Sequence, residues 1–125
     1  MKTTILASAT LIAFLGGAAA QATCIYPRPP ESLPDGATAT YDEMVAAQKA
    51  VKQFDADISA YNSCLELELE SLLANPELDD ARKAELRVMQ AKKNNAAVDD
   101  VQAVVGRFNE QLRAFRERSE KDKKD

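Results

Sequence analysis

The side chains with which this chain could do chemistry are few. It has two cysteines, Cys24 and Cys64, and twenty carboxylates, and no histidine. The missing imidazole removes the commonest general base and the commonest metal ligand. Ser32, Ser59, Ser63, Ser71 and Ser119 stand outside any G-x-S-x-G pattern, and no glycine-rich phosphate loop is present. Hydrolase and nucleotide chemistry therefore have no support. Among the carboxylates, "ELELE" puts Glu66 and Glu70 one turn apart on a helix face, and Asp79-Asp80 and Asp99-Asp100 are adjacent pairs. Calcium needs six or more oxygens from several segments, and no calcium loop occurs here. These acids read first as solvated helix faces and helix-start charges, with weak divalent-metal binding at Glu66 and Glu70 as the alternative. No metal site and no cofactor is expected.

The cysteines point to a compartment. The chain opens "MKTTILASATLIAFLGGAAAQATC", with Lys2, an apolar run from Ile5 to Leu15, and small residues at Ala18 and Ala20. This is the layout of a secretory signal peptide, too short in its apolar part to anchor in a bilayer. Residues 1–20 are expected to be removed, with cleavage after Ala20 or Ala22. Thr23 and Gln21 fit poorly to lipid attachment at Cys24. In an exported chain two cysteines read as one Cys24–Cys64 disulfide. A periplasmic or secreted protein without a membrane anchor is expected. Without Lys2 the net charge of −4 becomes −5, with both signs interspersed, which disfavours nucleic acid and anionic membrane.

The elements that must carry these residues are helical. Residues 21–39 are proline-rich, and Pro34-Asp35-Gly36 signals a turn. Thr40-Tyr41-Asp42-Glu43 predicts a capping box that opens a helix running to about Ala74. Met44, Ala47, Val51, Phe54, Ile58, Tyr61 and Leu65 share one stripe, which Leu69 and Leu72 continue after a small phase shift. Tyr61 lies three residues before Cys64, yet its place on that stripe makes it a core residue rather than a redox neighbour. Asn75-Pro76 predicts the N-cap and first position of a second helix, with Glu77, Asp79 and Asp80 in its first turn, ending near Arg118. Val98, Val101, Val105, Phe108, Leu112 and Phe115 recur at steps of three and four. That coiled-coil-like seam needs a helix against it and is the candidate interaction surface. Leu86 and Met89 lie off its phase, and Asn94-Asn95 mark a kink, a stutter or a break into three helices. Residues 119–125, "SEKDKKD", read as a disordered polar tail.

The prolines have a structural explanation. Cys64 lies 23 residues beyond Tyr41, about 35 Å along a helix. The 17 steps from Cys24 to Tyr41 reach roughly 53 Å in a polyproline-like conformation. A strap running back beside the helix therefore closes the bond with slack. The rival reading makes Pro27-Arg28-Pro29-Pro30 a proline-rich ligand for an aromatic groove.

The stretches "NNAAVDDVQAVVGRFNEQLRAF", "LPDGATAT" and "YNSCLELE" resemble those of small exported bacterial helical proteins of unknown function. The resemblance implies an exported helical fold. The repeated Leu-Thr-x-x-Gln motif of small helical envelope chaperones is absent. The expectation is an all-α domain, a long antiparallel helical hairpin over residues 40–118 with a disulfide-held strap. It would act without enzymatic activity through a protein partner, self-association or a structural role in the envelope. A chaperone-like binder of unfolded clients is the alternative, and a metal-binding protein or enzyme using helix carboxylates is the third class.

Overall fold

The computed structural model describes residues 23–124. The expected leader and its cleavage point fall outside them. Two helices account for the regular structure of the described residues: α1, Tyr41–Leu73, and α2, Asp80–Asp122.

Helix α1 begins at the expected capping box. The Glu43 amide donates to Thr40 Oγ1 at 3.2 Å, and the Thr40 amide donates to Glu43 Oε2 at 2.7 Å. Two of the amide donors that a helix start leaves open are thus satisfied reciprocally. Met44, Ala47, Val51, Phe54, Ile58 and Leu65 form its buried face. Removing one such large side chain from water stabilises the fold by about 1.5–3 kcal/mol. The helix closes where the Ala74 amide donates to Glu70 O at 3.1 Å.

The start of α2 differs from expectation. Asn75 does not cap it: its Oδ1 accepts from the Glu77 amide at 3.0 Å and its carbonyl from the Leu78 amide at 3.3 Å, closing a local turn. Asp79 is the N-cap, accepting from the Arg82 amide at 2.7 Å. Asparagine and aspartate cap about equally well, and asparagine also bonds its own backbone two residues on, so the first candidate is spent on the turn. Only Asp80 of the three acids lies in the first turn.

Helix α2 runs through Asn94-Asn95 as one helix, so the alternative of a break into three helices does not occur. The far end is corrected: α2 reaches Asp122, past Arg118, so residues 119–122 of the expected disordered tail are helical. Its last turn is held in place. Arg118 donates from Nη1 to Ala37 O at 2.9 Å and from Nη2 to Ala39 O at 2.6 Å, and Lys121 complements the helix dipole.

These Arg118 bonds join the start of α1 to the end of α2, while Ala74–Asp79 joins their other ends, so the helices pack antiparallel. Their shared core consists of Ala39, Met44, Ala47, Val51, Phe54 and Ile58 against Ala97, Val104 and Phe108.

Residues 23–40 contain neither helix nor strand. Cys24 is bonded to Cys64, with Cα atoms 5.8 Å apart. Leu33 packs on the core. The turn at Asp35 is closed by the Thr38 and Ala39 amides, which donate to Asp35 O at 3.0 and 2.7 Å. Gly36 sits in this turn without a positive φ. What requires glycine there is space: a Cβ would lie 1.8 Å from the Gln111 carbonyl oxygen.

Candidate interaction surface

The seam of α2 lies mostly inside the molecule. Phe108 is 6% exposed within the core, and Val101, Val105, Leu112 and Phe115 are half-buried against it. Val98 is 43% exposed. Arg118 stacks over the Phe115 ring, 5.1 Å from its centroid, which closes that end. Ala97 and Val104 complete the helix's buried face and were not among the residues expected there. Ala97, Val101, Val104 and Phe108 recur at steps of four, three and four, as regularly as the series through Val98 and Val105. The doublets Ala97-Val98 and Val104-Val105 permit either phase, and contact with α1 selects the first.

Tyr26 joins three parts of the molecule. Its ring meets Tyr61 edge-on, with centroids 5.1 Å apart, and its hydroxyl donates to Asp100 Oδ2. Partial burial of the phenol, then the bond to Asp100 and the charge behind it, push the Tyr26 hydroxyl up to about 12. The capping bonds from Thr40 hold the exposed Glu43 carboxyl below its usual value. Asn62 and Asn94 each place Oδ1 out of solvent without a hydrogen-bond partner among the described residues.

Packing changes character beyond the disulfide. On α1 the last buried residue is Leu65, and on α2 the buried face begins at Ala97. Between those points and the connecting turn the described residues supply no third layer. A shallow groove of about 90 Å³ opens there, with Leu65, Glu68, Leu69 and Leu72 on one wall and Leu86, Met89, Gln90 and Lys93 on the other. Each wall steps by three, one and three, which is one face of a helix. Leu72 is 42% exposed and Met89 45%. A second crevice of about 310 Å³ lies between residues 30–33 and α2, where Arg107, Glu31 and Glu110 make the lining polar.

Glu66 and Glu70 are exposed on α1. Among the described residues no group of three or more acids, cysteines or histidines is placed to hold a metal ion. No described helix is long and apolar enough to cross a membrane. Comparison with protein-family models, with curated proteins and with solved structures finds no match to the chain.

Proposed function

We propose that this chain is a non-enzymatic exported protein that works by contact with other protein surfaces through the free end of its helical hairpin. In this reading residues 23–39 are a proline-rich strap. The Cys24–Cys64 bond fixes one end of the strap and Arg118 holds the other, so the half of the hairpin beneath it is rigid and closed. Beyond Cys64 the helices lose that cover. The observation that carries the proposal is the groove between Leu65–Leu72 and Leu86–Lys93, where Leu65, Leu69 and Leu72 on one helix and Leu86 and Met89 on the other have no described element over them. Burying Leu69, Leu72 and Met89 against a partner would contribute about 1–3 kcal/mol each. Export is supported by the disulfide together with the leader-like first twenty residues.

The test is a photo-crosslinking residue at Met89, in protein expressed from its full chain in its native cell, with the exposed Lys52 as the matched control position. Adducts at Met89, to another protein or to a second copy, that are absent at Lys52 support the reading. Equal labelling at both positions, or none at Met89, overturns it.

A further inference from the structure

We infer that the occupant of the hairpin-end groove is a second copy of this chain, packed face to face about a two-fold axis parallel to the helices, so that α1 of each copy lies on α2 of the other. This rests on the reading of the groove as a docking surface and names its partner.

The argument is one of charge. Over its last eight residues α1 carries Glu66, Glu68 and Glu70 and no base. Over its first fourteen, α2 carries Arg82, Lys83, Arg87, Lys92 and Lys93 against Asp80 and Glu85. The groove repeats this division in its lining, with Glu68 on the α1 wall and Lys93 on the α2 wall. Within the groove itself the acid is Glu68 alone, since Glu66 and Glu70 lie roughly 160° round the helix from it, so Glu68 makes the α1 edge acidic and Lys93 makes the α2 edge basic.

A surface divided in this way is self-complementary under one symmetry operation. A two-fold axis along the helices exchanges left and right while keeping both hairpin ends level. The acidic edge of each copy then meets the basic edge of the other, and the same patch serves both partners. All four helices run antiparallel to their neighbours, which suits their dipoles. A two-fold axis across the helices would instead put α1 on α1 and acid on acid, which is repulsive. The groove holds about 90 Å³, a volume that suits single Leu or Met side chains from a facing helix. An extended peptide would find no sheet edge among the described residues to pair with.

The experiment is sedimentation equilibrium of the disulfide-bonded protein expressed from its full chain, with its mass measured intact. A dimer is expected. Glu68→Lys and Lys93→Glu should each weaken it about tenfold, and the double exchange should restore it to within about threefold, since two symmetry-related pairs change together. A photo-crosslinker at Met89 should join the other copy within residues 65–73. Crosslinks to the other copy's α2 would overturn the orientation. A monomer at all concentrations overturns the second copy as occupant, including a monomer that retains residues 1–22. If Met89 then still captures another protein in the cell, the docking surface stands with a foreign partner. If it captures nothing, both readings fall.

Discussion

Gly36 lies against the backbone of Gln111. Its amide donates to Gln111 Oε1 at 2.9 Å, and any Cβ placed on it would overlap the Gln111 carbonyl and approach the Phe115 amide nitrogen at 2.9 Å. The obstruction is backbone rather than the end of a flexible side chain, so relief requires the whole segment to lift from α2. Gly36→Ala should therefore cost about 2–3 kcal/mol in urea unfolding. Gly106 is the contrast. It is an exposed position in the middle of α2, and a Cβ there meets nothing within 4 Å. Gly106→Ala should raise stability by about 0.5–1 kcal/mol through helix propensity alone. Equal effects of the two substitutions would refute this account of the contact.

The disulfide spans 40 residues of sequence. Closing a loop of that length should stabilise the fold by about 4 kcal/mol by the chain-entropy argument. Cys64→Ser should lower stability by that order and release Cys24 as a titratable thiol. Two free thiols in the wild-type protein purified from its native cell, counted by alkylation and mass measurement without reductant, would contradict the bond.

Tyr26 makes stability depend on alkaline pH. Its hydroxyl pKa is raised from 10.0 to about 12 in the folded chain. Below pH 10 both folded and unfolded chains hold the proton, and the contribution is complete. Between the two values the folded chain holds it while the unfolded chain releases it, so stability falls as pH rises and levels off above about 12. The urea midpoint should drop more between pH 9 and 11.5 in the wild type than in Tyr26→Phe. Parallel curves would sink the assignment.

Asn94 is the fourth test. It sits within α2 with a buried, unpartnered Oδ1, and asparagine is a poor helix former. Asn94→Ala removes the orphaned acceptor and improves propensity, so a gain of about 1 kcal/mol is expected. A loss of stability would mean the amide makes a hydrogen bond that repays its burial.

Much of this architecture is written locally. The α1 stripe, the Thr40–Glu43 box and the turn at Asp35 depend on residues at most a few turns apart, and such interactions are legible in a linear sequence. With only two cysteines, one intramolecular pairing exists. Leu69 and Leu72 are legible as a phase-shifted continuation of the α1 stripe, and Leu86 and Met89 as apolar residues off the phase of the α2 seam. Nothing in their spacing says that they border a groove.

What tertiary structure alone decided concerns residues far apart in the chain. Arg118 and Ala39 are 79 positions apart, and their bond carries the end of α2 through a stretch that composition reads as a polar tail. Ala97 and Val104 are buried while Val98 is exposed and Val105 only half-buried, because α1 occupies one side of a helix whose apolar doublets permit either phase. Asp79, rather than Asn75, caps α2 because two equal caps compete and the asparagine closes the turn. Helix periodicity records which residues can share a face. Which face is buried, and which is left open at the hairpin end, depends on what the rest of the chain packs against it.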